Sequence, residues 1–286
     1  MIGFTGCGTA LVTPFRDGEV DWQSYEALVR RQVSSGVDFL VPLGTTAETP
    51  CLTDEEKVRL LSITRQLSGG KPILVGVGSN SPAGTFRNME LLSDADGYLV
   101  VVPFYNKPTQ EGLYRYFETV AQKSDKPIVL YNVPGRTGTN MLAQTTLRLA
   151  RNPKIVAVKE ASGNVDQVLE IVRCAPEGFS VLSGNDDQTK VLMDGGAHGL
   201  ISVASNIAPD LVSGLVHAIA QGRTEEAQQL EEKLHPLFKA CTLESNPIPV
   251  KGGLSVMGLC TSEMRLPLTP ATGSTLEAMK QVIGSL

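Results

Sequence analysis

The chain has 286 residues, 42% hydrophobic and 19% charged, which is enough apolar mass for a large buried core and argues against disorder. A formal net charge of -5 excludes a broad basic face for nucleic acid, and no apolar run of about 18 residues is present to cross a membrane. Cys7, Cys51, Cys174, Cys241 and Cys260 are odd in number and form no CxxC pair, which argues against a disulfide framework or structural zinc and fits a reducing cytoplasm.

The amino-terminal octet, Met1-Ile-Gly-Phe-Thr-Gly-Cys-Gly, has no charged region followed by an apolar stretch, so no leader is expected. Short apolar runs then predict strands at Cys7–Val12, Phe39–Gly44, Pro72–Gly78, Gly97–Pro103, Pro127–Val133, Ile155–Ala161, Phe179–Gly184 and His198–Ser205. Helical patterns separate most of them. Asp21–Ser35 sets Tyr25, Leu28, Val29 and Val33 on one face and ends at Gly36, and Thr53-Asp-Glu-Glu56 has the spacing of a capping box. Eight strands alternating with helices predict parallel βα units of the α/β class. The simplest closure is a (β/α)8 TIM barrel over residues 1–223, with a doubly wound open sheet as the alternative. After Ser205 the strand signal stops. Thr224–Leu243 carries an apolar stripe of Leu230, Leu234, Leu237, Phe238 and Cys241, and more helix is expected in Gly252–Leu259 and Thr275–Leu286. This predicts a helical domain over 224–286 that packs on the barrel or builds an oligomer interface. The stripe carries no chemical signal of its own.

Lys159 stands alone as an amine in the apolar run Ile155-Val-Ala-Val-Lys-Glu-Ala161, which otherwise reads as a buried parallel strand. An ammonium there loses hydration, and a free amine attacks carbonyls, so one reading is a Schiff-base nucleophile. The other is a structural lysine that pairs with Glu160 or snorkels from a strand end. Strand alternation sets Lys159 with Ala157 and Ala161 toward the barrel axis, and Val156 and Val158 toward the helices.

In a barrel, working residues gather at the carboxyl ends of strands. These ends carry Thr45, Thr46 and Glu48, then Tyr105 to Lys107, Tyr131 to Arg136, Ser183 to Asp186, and Gly199 to Ile201. Each has a plainer reading: Tyr131 as a core aromatic, the threonine pair as a loop cap, Gly184 as a turn residue, Arg136 as a solvated cation, and Asp186 and Asp187 as helix starters. His198 lies at a strand start, away from the working face. The three histidines, His198, His217 and His235, are not spaced with acidic residues as metal ligands, so no metal is expected. Neither a phosphate-binding loop nor a dinucleotide fingerprint occurs, so no cofactor is expected.

Gly44-Thr-Thr-Ala-Glu48, Tyr131-Asn-Val-Pro-Gly-Arg-Thr137, Val158-Lys-Glu-Ala161, Leu182-Ser-Gly-Asn-Asp186 and Asn246-Pro-Ile-Pro-Val-Lys251 occur in an order that resembles the dihydrodipicolinate synthases, within the N-acetylneuraminate lyase superfamily of pyruvate-dependent barrels. The resemblance runs from Gly6 to about Pro270. It implies a lyase that condenses pyruvate with aspartate 4-semialdehyde through an imine on Lys159, at the first committed step of diaminopimelate and lysine biosynthesis. By the same resemblance Tyr131 is the proton donor and acceptor, and Thr45 links it to a Tyr105 that reaches in from a neighbouring subunit. Thr46 binds the pyruvate carboxylate, Arg136 holds the semialdehyde carboxylate, and Gly184 and Ile201 offer backbone carbonyls. The assembly implied is a homotetramer, a dimer of dimers. An aldolase for sialic acid or a 2-keto-3-deoxy sugar acid shares the lysine and tyrosine but has no need of a carboxylate clamp at Arg136. A non-catalytic barrel is the remote alternative.

Two departures stand out. Ala47 replaces the usual glycine of the Gly-Thr-Thr-Gly-Glu loop, which alanine tolerates at negative φ. Where lysine-inhibited relatives carry an acidic residue, a histidine and a tyrosine, this chain has Gly84, Lys57 and Phe104, with Asn80 kept, so weak or absent lysine feedback is expected.

Overall fold

Eight parallel strands arise where the apolar runs predict them: β1 (Gly6–Ala10), β2 (Phe39–Val41), β3 (Leu74–Gly76), β4 (Gly97–Val101), β5 (Ile128–Asn132), β6 (Ile155–Glu160), β7 (Ser180–Ser183) and β8 (Gly199–Ser202). The computed structural model describes residues 3–286; Met1 and Ile2, which begin the stretch expected to hold no leader, lie outside the described residues. The strand order is β2-β1-β8-β7-β6-β5-β4-β3. A parallel bridge between Leu40 and Ile73 joins the two outermost strands. Backbone hydrogen bonds from Leu40 N to Pro72 O (3.0 Å) and Gly76 N to Pro42 O (3.1 Å) complete the seam. The sheet therefore closes as a (β/α)8 TIM barrel rather than an open doubly wound sheet.

Helices α1 (Trp22–Ser34), α2 (Asp54–Leu67), α3 (Pro82–Leu91), α4 (Gln110–Lys123), α5 (Ala143–Leu149), α6 (Val165–Cys174), α7 (Thr189–Asp194) and α8 (Pro209–Ala220) follow the strands in turn. Helix α2 opens with the expected capping box between Thr53 and Glu56, a device worth about 1 kcal/mol. In α1, Gln32 is buried with Tyr25, Leu28 and Val29, because its amide donates to Ser205 O at 3.0 Å and its carbonyl accepts from the Thr9 hydroxyl at 2.8 Å. Val33 is only half-buried. A two-residue hairpin, Phe15–Arg16 with Glu19–Val20, turns through Asp17-Gly18 and was not expected.

The barrel interior is packed by Phe4, Phe39, Leu74, Leu99, Val129, Ala157, Leu182 and Ile201, among others. Phe4 and Phe39 meet edge to face at 5.5 Å, and the chain concedes space to them: a Cβ at Gly8 would sit 2.2 Å from the Phe39 ring. One strand departs from strict alternation. The β5–β6 register shifts so that Val129 pairs with Ala157 while Ile128 pairs with Ile155, leaving Val156 as the extra residue. This bulge turns Val156 against the interior cluster, not outward toward the helices as expected, while Ala157 and Lys159 keep the inward face.

Past α8 the chain continues as α9 (Thr224–Ala240), α10 (Ile248–Val256) and α11 (Gly273–Ile283). Leu234, Leu237, Phe238, Val250 and Met279 join the same core that lies between the barrel and its helices. The carboxyl-terminal helices thus pack on the barrel without an extensive separate core. Among the described residues, no helix is long and apolar enough to cross a membrane.

Candidate active site

A chamber of ≈ 160 Å³ opens at the carboxyl ends of the strands, where a TIM barrel is expected to carry its chemistry. Thr45, Thr46, Tyr131, Arg136, Lys159 and Gly184 all line it. Six residues marked in the sequence for one mouth are thus brought together from four strand ends.

Lys159 is 6% exposed and rises from the end of β6. Its Nζ lies 4.4 Å from the centre of the Tyr131 ring, on the neighbouring strand and in direct register. Among the described residues no carboxylate pairs with it. Glu160, the partner in the plainer reading, points to the opposite side of the strand. There it accepts from Asn132 Nδ2 at 3.0 Å, Gln167 Nε2 at 3.1 Å and Ser162 N at 2.8 Å. Burial pushes its carboxyl above the ordinary glutamate value. Gly184 is needed beside the amine, since a Cβ there would stand 2.6 Å from Ala161 Cβ and 3.1 Å from Lys159 Cε.

Thr45 and Thr46 sit in a tight 3-10 turn, Thr45–Ala47, which replaces the looser loop cap of the plainer reading. Ala47 belongs to that turn, and the left-handed step falls on Glu48, with φ of 54°. Thr46 is buried and its Oγ1 accepts from Asn246 Nδ2 at 3.0 Å, leaving the hydroxyl proton free for an acceptor in the chamber. Arg136 stands at the mouth, where Nη2 donates to Asn246 O at 3.0 Å. Arg136 also lines a polar vestibule with Ser162, Asn185 and Ser245.

Two expected residues lie elsewhere. Tyr105 is 88% exposed, holds a left-handed φ of 75° and does not line its own chain's chamber. Ile201 is fully buried in the interior cluster beneath the chamber and does not line it.

Asp186 differs from its plainer reading. It does begin a short 3-10 turn, but its carboxylate turns inward to accept from Ser202 Oγ, Val203 N (3.0 Å) and Ala204 N (3.2 Å), tying β7 to the loop after β8. Burial pushes its carboxyl above the ordinary aspartate range, against those donors and the charge of Lys159. The apolar stripe of α9 also does more than pack, because Phe238 and Cys241 form part of the chamber wall. Burial pushes the Cys241 thiol well up, so it serves as wall rather than nucleophile. Asn246 was visible in the sequence only as part of a motif, and its bridge between Thr46 and Arg136 was not. Among the described residues no His, Cys, Asp and Glu cluster could hold a metal ion.

The chain is similar to known proteins along its described length. Residues 3–286 match the model of the dihydrodipicolinate synthetase family. A 4-hydroxy-tetrahydrodipicolinate synthase of Thermotoga neapolitana is 46% identical over 287 residues, covering 98% of each chain. The crystal structure of a dihydrodipicolinate synthase from Thermotoga maritima superposes with a TM-score of 0.96 at 44% identity, covering 99% of both chains. A chloride-inhibited dihydrodipicolinate synthase from Acinetobacter baumannii, complexed with pyruvate, gives a TM-score of 0.95 at 38% identity over 98% of each.

Proposed function

Since this chain belongs to the dihydrodipicolinate synthetase family, we propose that it condenses pyruvate with aspartate 4-semialdehyde to 4-hydroxy-tetrahydrodipicolinate, the committing step toward diaminopimelate and lysine. The observation that carries the reading is Lys159, a buried amine without a carboxylate partner, set against Tyr131 in a chamber whose mouth holds Arg136.

The Lys159 amine adds to the keto carbon of pyruvate, and loss of water leaves an iminium. Removal of a methyl proton gives an enamine, whose carbon attacks the aldehyde of the semialdehyde. The substrate amine then displaces Lys159 as the ring closes, and the enzyme is regenerated. Tyr131, one ring away from the amine, is the group that supplies and removes protons. Thr46 offers its hydroxyl to the pyruvate carboxylate, and Arg136 its planar fork to the carboxylate of the second substrate. Gly184 supplies a backbone carbonyl beside Lys159, and Ile201 one from below the chamber. Thr45 passes protons toward Tyr105. The exposure and left-handed backbone of Tyr105 suit a side chain that enters a neighbouring copy, within a homotetramer built as a dimer of dimers. A cytoplasmic setting suits the free cysteines.

The test is an assay of purified protein with pyruvate and aspartate 4-semialdehyde. Consumption of both is expected, whereas turnover of a sialic or 2-keto-3-deoxy sugar acid without use of the semialdehyde would overturn the reading. Weak or absent lysine feedback belongs to the same proposal. Lys57 is engaged by Asp54 at 3.2 Å, and Gly84 offers no carboxylate to an effector amine. Half-inhibition by sub-millimolar lysine would refute that part.

A further inference from the structure

Lys251 is fully buried, and the chemistry above makes no use of it. Its Nζ donates to Glu48 Oε1 at 2.7 Å, and both side chains are 0% exposed. Glu48 Oε2 accepts from Arg265 N at 3.1 Å. Lys251 lies 4.3 Å over the centre of the Phe15 ring and the Arg265 guanidinium 4.6 Å from it, while that guanidinium clasps Glu56 at 2.7 Å. Stability alone does not account for such a pair, because apolar side chains of the same volume usually serve a core as well or better.

The pair meets the chain at an unusual place. Glu48 is a non-glycine residue in the left-handed region, and it closes the turn that carries Thr45 and Thr46 by donating its N to Thr45 O at 3.2 Å. Leu43, on the other side of that turn, is also left-handed, with φ of 57°. Backbone of this kind persists only where its surroundings dictate it. Two of the contacts that hold it come from one distant segment. Asn246 holds Thr46 through Oγ1 at 3.0 Å, and Lys251, in α10, holds Glu48. The turn is therefore gripped at two points by the Asn246–Lys251 segment, and Thr13 Oγ1 supports it from below at Ala47 O, at 2.8 Å.

We propose that Glu48 and Lys251 are positioning residues, whose buried ion pair holds the Thr45–Thr46 turn in the orientation that receives the carboxylate of the keto acid. This rests on the reading of Lys159 and Thr46 given above. It assigns the carboxyl-terminal helices a share in recognising the first substrate, through a contact that touches neither substrate nor Lys159.

The experiment compares wild type with the neutral, nearly isosteric double variant Glu48→Gln/Lys251→Met and with the single variant Glu48→Gln. The half-saturating pyruvate concentration for borohydride-trapped adduct and the KM values for both substrates are measured beside the melting temperature. In the double variant, half-saturation by pyruvate is expected to rise about tenfold, with the KM for the aldehyde substrate and the adduct yield at saturating pyruvate unchanged. Glu48→Gln should shift pyruvate in the same direction and keeps the test readable if the double variant folds poorly. A purely structural role predicts a lowered melting temperature and active fraction with pyruvate KM unmoved. Pyruvate half-saturation within about twofold of wild type in a folded variant would overturn the proposal. Absence of any adduct on wild type would instead refute the reading of Lys159.

Discussion

Among the described residues two lysines are buried, Lys159 in a barrel strand and Lys251 in α10, and they are buried in opposite ways. Lys251 has a carboxylate at 2.7 Å, an aromatic face beside it and no route to solvent. Lys159 has an aromatic face and a chamber but, among the described residues, no carboxylate paired with it. Burial draws the Lys251 ammonium below the ordinary lysine range, with Glu48 pulling the other way. The difference lies in what each amine is left to do. An amine whose lone pair or charge is already committed to a fixed partner holds structure together. One that faces an open volume beside a proton-exchanging phenol can meet a carbonyl. On the proposed function, burial alone therefore does not mark the reactive lysine; burial without a partner, facing space, does.

The contrast is broken or sharpened first by parallel substitutions to methionine. Lys159→Met should lower kcat/KM by at least about 10⁴-fold, with unfolding free energy within about 1 kcal/mol of wild type, as read by steady-state assay and urea unfolding. Lys251→Met should do the reverse in stability, costing about 3–5 kcal/mol because Glu48 is left buried and unpaired, and most of that loss should return when Glu48→Gln is added. Equal stability losses at the two positions would erase the distinction. A smaller effect is expected at Arg136. Arg136→Lys should raise the KM for the aldehyde substrate roughly 10- to 100-fold with pyruvate KM unchanged, since a point charge cannot reproduce the fork.

The smallest effect is a slope with pH. Burial raises the Glu160 carboxyl above its ordinary value, so the folded state binds that proton more tightly than the unfolded chain does. Stability from this group is then lost as pH rises from the ordinary glutamate value through the raised one. Urea midpoints across that window should show Glu160→Gln gaining on wild type as pH rises. A difference that stays flat, or falls, would mean that the hydrogen bonds from Asn132, Ser162 and Gln167 outweigh burial.

Much of the chamber was legible because its parts are local. An amine in an apolar strand, hydroxyls and an arginine just beyond strand ends, and a repeating βα period are each written within a few residues. What could not be read depends on pairing across the chain. Glu48 and Lys251 are 203 positions apart, and Thr46 and Asn246 are 200 apart, so no spacing rule connects them. The inward turn of Asp186 depends on the loop after β8, and the wall role of Phe238 on how α9 settles against the barrel mouth. The inward packing of Val156 was hidden for another reason: a bulge breaks the period of two on which alternation relies. The hairpin at Phe15–Val20, by contrast, does have a local signal in Asp17-Gly18, a turn dipeptide between two short strands.

The account turns on which amine reacts, and peptide mapping after reduction with borohydride in the presence of pyruvate reads that directly. It predicts a single modified position, Lys159, with Lys251 and every other lysine untouched. An active enzyme that leaves Lys159 unmodified, or that carries the adduct on another lysine, would contradict it.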